Sequence, residues 1–131
     1  MHHLSHIEPV DYLIIGHVTQ DVHPNGLTLG GTVSFAARTA RAFGLRVGVV
    51  TSCAENLVMP DLEGVQVIAY PSEYTTTFEN IMTPQGRIQY LHHKAQNIEI
   101  SMIPERWRST PIVHFGPLAQ EIDPTLVRCF P

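Results

Sequence analysis

At 131 residues, with 44% apolar and 15% charged side chains, the chain has the make-up of a folded domain that buries one core. Its formal charge of −4 gives no basic footprint and argues against nucleic acid as a partner. No apolar run reaches the ~18 residues of a membrane span, and the N-terminus lacks the apolar stretch of a signal peptide, which points to a cytoplasmic protein. Cys53 and Cys129 are too few and too far apart for a disulfide framework or a zinc site, so both are expected as buried thiols.

Met1 to Pro9 is polar, carries His2, His3 and His6, and reads as part of a flexible tail over residues 1–10, because no rigid element fixes those imidazoles. Tyr12 to Ile15 is a short apolar run followed by Gly16-His17-Val18, the pattern of a central strand buried on both faces. Thr19-Gln20-Asp21 then leaves that sheet. At the exit of a parallel strand a carboxylate reaches the crevice where α/β proteins bind ligands, and an ionised Asp accepts hydrogen bonds only, which suits neighbouring hydroxyls. Asp21 is therefore the first candidate site residue, with a loop-capping Asp as the alternative. His17 and His23 flank it, but one Asp and two His do not make a convergent metal site.

Pro24-Asn25-Gly26 reads as a tight turn, so that residues 20–29 form the first hairpin of a small accessory sheet. The hairpin brings Asp21 and Gly30-Gly31 towards one pocket. Gly30 and Gly31 lack a Cβ and let a ligand approach the main chain. Thr32 is the expected N-cap, and the amides after it can bind an anion or a hydroxyl. An ordinary turn and helix is the alternative. Val33, Ala36, Ala37, Ala40 and Phe43 recur at helical spacing, and Gly44 stands where a helix ends. No Gly-x-Gly-x-x-Gly follows the first strand, and Thr32 stands where a P-loop needs Lys.

Leu45 to Val50 and Val65 to Tyr70 read as buried strands, with a loop or broken helix over Cys53 to Leu62 between them. Thr75 to Lys94 alternates differently, with Phe78, Asn80 and Met82 on one face and a Pro84-Gln85-Gly86 turn before Ile88, Tyr90 and His92. Such a hairpin cannot bury itself and must cover or pair with something; a plain edge hairpin of the main sheet is the alternative. A short helix from Pro104 packs Trp107, Ile112 to Phe115 is a further strand, and a helix-like segment starts at Asp123-Pro124.

GGTVSFAARTARAFGLRVGVVTS resembles the N-terminal signature of the PfkB (ribokinase-like) carbohydrate kinases, a Gly-Gly turn entering a helix and then a strand. The likeness extends to DYLIIGHVTQDVHP, TTTFENIMTPQGRIQYLHHKA and PIVHFGPLAQEI, and so covers nearly all of residues 11–131. It implies an α/β fold with a three-layer ribokinase-like parallel sheet and a small antiparallel β lid, here cut short. It also implies transfer of the γ-phosphoryl of ATP, with Mg2+, to a sugar hydroxyl. Asp21 matches the sugar-binding Asp of the family, and Gly30, Gly31 and Thr32 match its turn. Two positions depart: Thr19 and Phe35 stand where the family has Asn. Phe can only pack or stack, which points to a less polar or larger acceptor. The lid strands lie near residues 20–29 and 75–94, with Phe78, Asn80 and Tyr90 as lid residues, and lids of this family often make a homodimer contact.

The family's catalytic base is the Asp of a Gly-Ala-Gly-Asp motif, and its ATP site lies nearby. No Gly-x-Gly-Asp occurs in this chain. The resemblance therefore assigns acceptor recognition and lid to this chain and no catalytic residue, so that by itself it is expected to be inactive. A non-catalytic small-molecule binding module and a dimerisation module remain the competing functions.

Overall fold

The computed structural model describes residues 7–131. His2, His3 and His6 lie outside the described residues. Ile7 to Val10 are held against the body: Trp107 Nε1 donates to the Glu8 carbonyl at 2.9 Å, Arg106 donates to that of Ile7, and Val10 is buried.

Four parallel strands form the main sheet in the order β5-β4-β1-β8. They are β1 (Tyr12–Ile15), β4 (Val47–Cys53), β5 (Gln66–Pro71) and β8 (Ile112–Phe115). All seven residues of β4 are buried, as expected of a parallel strand covered on both faces. On one face lies α1 (Thr32–Ala42), whose Val33, Ala37 and Ala40 pack with Ile14, Val18, Val47 and Val49. On the other lie the segments around 98–107 and 122–130, which place Ile98, Ile103, Trp107, Ile122 and Leu126 against Leu13, Ile15, Val50 and Ile68. The layers are thus three, with irregular chain and short helical turns forming the third.

Helix α1 starts and stops for backbone reasons. Gly31, at φ +91 and ψ 156, is the N-cap, and no side chain caps the helix. Thr32 is therefore the first helical residue and not the cap, because the reversal before it needs a conformation that glycine adopts freely. At the far end the Gly44 and Leu45 amides donate to the Arg41 and Ala40 carbonyls at 2.9 and 3.2 Å, the Schellman pattern that a glycine after the C-cap permits. Phe43, the last of the residues at helical spacing, is the C-cap and is 82% exposed. The thiols also divide: Cys53 is buried as expected, whereas Cys129 is exposed.

A second sheet, of order β3-β2-β6-β7, rises from the end of the first. It comprises β2 (Thr19–His23), β3 (Gly26–Gly30), β6 (Thr76–Thr83) and β7 (Gly86–His93). The expected antiparallel sheet is in fact mixed, for two antiparallel hairpins are joined by a parallel β2–β6 pairing. Both hairpin loops are Pro-x pairs followed by a glycine at positive φ, Gly26 and Gly86, which begins the return strand. The 75–94 hairpin is thus no edge of the main sheet.

Candidate functional site

The register of β2 and β3 pairs Thr19 with Gly30 and Asp21 with Thr28, so all four share one face. On it the Asp21 carboxyl lies flat against Gly30: a Cβ there would fall 2.9 Å from Asp21 Cγ and 3.1 Å from Thr19 Oγ1. The Thr19 hydroxyl donates to Asp21 Oδ1 at 3.3 Å. Gly31 is closely set too, though less tightly, 3.1 Å from the His17 carbonyl, 3.2 Å from Leu118 Cδ1 and 3.3 Å from Thr19 Cγ2, measured from the Cβ it lacks. The structure therefore gathers Thr19, Asp21, Gly30 and Gly31, of which the hairpin reading had named Asp21 and the two glycines, and adds Leu118. This cluster sits at the C-terminal ends of β1 and β8, where open α/β sheets present their ligand crevices.

The parallel β2–β6 register places Phe78 beside Asp21, and Asn80 is on the same face two residues on. Phe78 is buried and Asn80 exposed. Tyr90 pairs with Glu79 and so lies on the opposite face, stacked on His92. Thr32 and Phe35 line an open, mostly apolar groove of about 620 Å³ with Tyr12, Ala36, Phe43 and His114. There Tyr12 and His114 are hydrogen-bonded, Oη to Nδ1, at 2.8 Å. In the first turn of α1, Ser34 Oγ is buried without a hydrogen-bond partner.

Below the cluster runs a buried polar joint that local sequence patterns do not reveal. His17 is fully buried, with Nε2 2.7 Å from the Gln96 carbonyl and Nδ1 2.7 Å from Thr76 Oγ1. A carbonyl only accepts, so Nε2 carries the proton, and Nδ1 accepts from the Thr76 hydroxyl. Thr76 Oγ1 in turn accepts from the Ala95 amide at 2.9 Å. The backbone N–H of His17 donates to Glu121 Oε2 at 2.9 Å, and Glu121 Oε1 takes the Leu118 and Ala119 amides at 2.9 and 2.8 Å. Burial pushes the His17 imidazole below its ordinary pKa, against the pull of Glu121. Burial alone would raise the Glu121 carboxyl, but the N–H groups of Ala119 and His17 outweigh it and hold the pKa down. His17 Nδ1 and Glu121 Oε2, 3.8 Å apart, are thus a neutral ring beside a carboxylate and not an ion pair.

No protein-family model and no curated protein sequence matches the chain. Solved structures do. A pyrophosphate-dependent kinase in the ribokinase family, in its sulfate complex, superposes with a TM-score of 0.69 at 26% identity, over 92% of this chain and 48% of that one. A pyrophosphate-dependent kinase in the ribokinase family complexed with a pyrophosphate analog and myo-inositol gives 0.65 and 26%, over 91% and 46%. Arabidopsis thaliana ribokinase with ribose and ATP gives 0.59 over 91% and 48%, and at 12% identity shares the fold alone.

Proposed function

The chain is a PfkB-like, ribokinase-fold chain spanning just under half the length of those kinases, and we propose that it supplies the acceptor-binding part and lid of a kinase. The acceptor is a sugar or a cyclic polyol, the class to which the neighbours' ribose and myo-inositol belong. The observation that carries this reading is the Asp21 carboxylate, aligned by Thr19 and laid against the Cβ-free edge of Gly30 at the mouth of the main sheet. An ionised carboxylate there accepts from two hydroxyls of one ring, while Gly31 lets the ring approach the start of α1. Phe78 and Asn80, on the Asp21 face of the second sheet, cover it and exclude water.

The family implies a phosphoryl donor, ATP, and Mg2+. No residue of this chain is assigned to either: the sequence has no Gly-x-Gly-Asp, and the described residues include no group of three or more His, Cys, Asp or Glu placed to hold a metal. No transfer step is assigned to this chain, and the neighbours' use of pyrophosphate leaves the donor open between two phosphoanhydrides.

A homodimer through the lid hairpin has support of its own. All eight residues of β7 are exposed, Ile88, Tyr90 and Leu91 among them, and β7 is the outer strand of its sheet. Sedimentation of the protein and of an Ile88→Lys variant tests it; an unchanged mass would remove it.

Calorimetric titration with myo-inositol and with ribose tests the acceptor site. Asp21→Ala should weaken binding at least roughly ten- to a hundred-fold, the worth of one of its two hydrogen bonds to a charged acceptor. Unchanged affinity would remove Asp21 from the site.

A further inference from the structure

We propose that His17 and Glu121 are positioning residues, a single buried joint that sets the base of β6 over the Asp21 cluster and holds Leu118 against Gly31. The proposal rests on the acceptor-site reading for its functional meaning and on geometry for its existence.

His17 lies between the end of β1 and the start of β2, where the chain passes from one sheet to the other. Its ring ties two parts of the second sheet's base, Thr76 at the start of β6 and Gln96 just after β7. Its backbone N–H ties the 116–121 loop through Glu121. The Glu121 carbonyl also accepts from the Ile98 amide at 2.9 Å, so the chain leaving β7 is fixed to the same loop.

Every polar group in this joint has one consistent role. Gln96 O accepts from Nε2–H, Nδ1 accepts from Thr76 Oγ1–H, and that oxygen accepts from Ala95 N–H. A buried network satisfied in one way only specifies one arrangement. The loop at its other end shows the same constraint. Gln120 is the only non-glycine described with positive φ, at 56°, between amides captured by Glu121 and Glu121 itself. Such a conformation persists where its surroundings over-determine it. Leu118, on this loop, meets Gly31 beside Thr19. One joint thus fixes both the wall and the cover of the Asp21 cluster, without touching the ligand.

Thr76 provides the sharpest test. Thr76→Val keeps the shape and removes the hydroxyl; Thr76→Ser keeps the hydroxyl and removes a methyl. Amide hydrogen exchange over the whole chain reads both. For the Val variant, protection at Thr77 to Glu79 and at Ala95 to Gln96 should fall about tenfold, the usual worth of a lost buried hydrogen bond, with α1 and β4 unchanged. The Ser variant should match the parent. Glu121→Gln leaves one oxygen where the carboxylate had two, so its NH2 must face either the His17 N–H or those of Leu118 and Ala119, and protection should fall by a similar factor at whichever of the two it faces.

A packing role would give the opposite order, Ser worse than Val, and would overturn the proposal. So would a loss spread evenly over α1 and β4, or no loss at all. Binding of myo-inositol and ribose is measured on the same variants. If Asp21→Ala leaves binding unchanged, the acceptor-site reading falls while the exchange pattern still decides the joint.

Discussion

Gly30→Ala displaces the Asp21 carboxylate without removing it, and so tests place against mere presence. An added Cβ would lie 2.9 Å from Asp21 Cγ, where ordinary contact begins at 3.4 Å, so the carboxyl carbon must retreat by about 0.5 Å; the Oδ2 oxygen, which would be nearer still, must swing further. Positioning within ~0.5 Å is what a preorganised site requires. Losing one hydroxyl contact to the carboxylate costs about 1.5–3 kcal/mol, or roughly ten- to a hundred-fold in Kd. The backbone should tolerate the change, since Gly30 is absent from the glycines with positive φ. A compatible Gly→Ala replacement gains ~0.4–1 kcal/mol by restricting the unfolded chain, which offsets part of the side-chain strain. The expected outcome is a thermal midpoint near that of the parent with polyol binding reduced roughly ten- to a hundred-fold, part of the way to the loss in Asp21→Ala. Calorimetric titration and thermal unfolding check the two halves. Parent-like affinity in Gly30→Ala beside lost affinity in Asp21→Ala would refute the placement of the carboxylate against this glycine.

Acid should weaken the fold in two stages. His17 has a folded pKa below its ordinary 6.5, so the unfolded chain binds the extra proton first, and this contribution is present above pH 6.5 and lost as pH falls below it. Glu121, held below 4.5, adds a second loss at lower pH. Urea midpoints from pH 8 to pH 4 check this, and a flat profile between 7.5 and 5.5 would contradict the neutral His17. Among the thiols, Cys53 is buried with its pKa raised to about 11 by burial, whereas Cys129 is exposed, so a thiol reagent should titrate one group per folded chain and two after denaturation. The outer edge of β8 and the groove beside it expose Phe35, Phe43 and Ile112, at 58%, 82% and 46%. The chain should self-associate at high concentration, and Phe43→Ser should reduce that association in light scattering.

What the sequence made legible is what short-range patterns encode. The apolar run at Tyr12–Ile15 is β1, the helical spacing up to Gly44 is α1, and the Pro-x-Gly turns head two hairpins. Each of these depends on residues a few positions apart. Phe43 keeps the helical period, but the chain reverses at the next residue and leaves its ring exposed, which the period alone does not show. Thr32 had the chemistry of a cap, yet a glycine one residue earlier already supplied the geometry. The parallel β2–β6 pairing and the bond from His17 to Glu121, 104 residues away, have no local signature. His17 was visible as part of the buried run after β1 and as a poor metal ligand, but not by its partners, and Leu118, Ser34 and Glu121 carried no signal in isolation. Burial, charge and pairing decide those residues, and all three are tertiary facts.

The same connections determine which part of the second sheet can move. Its base is tied at several points: Val18 N to Thr51 Oγ1, Ser72 N to the Cys53 carbonyl and Ala54 N to Thr75 Oγ1, at 2.9 to 3.0 Å, besides the His17 joint. Thr75, Thr76 and Thr77 are buried, whereas from Asn80 onward the hairpin is largely exposed. Near the end of the buried part, which includes Phe78, the β6–β7 register shifts at Thr77/Phe78, the irregularity at which an antiparallel ladder bends. If the proposed lid closes over Asp21, it does so by bending of the outer hairpin about that shift, because a rigid swing of the whole sheet would break the buried bonds at its base. Phe78, just beyond the shift and level with Asp21, is the first side chain such bending would move. Amide exchange should be slow through Thr77 and rise stepwise from Asn80 to Thr83, and a saturating polyol should slow only the outer step. Uniform exchange along β6, or protection gained at Thr76 on binding, would show that the sheet moves as one piece.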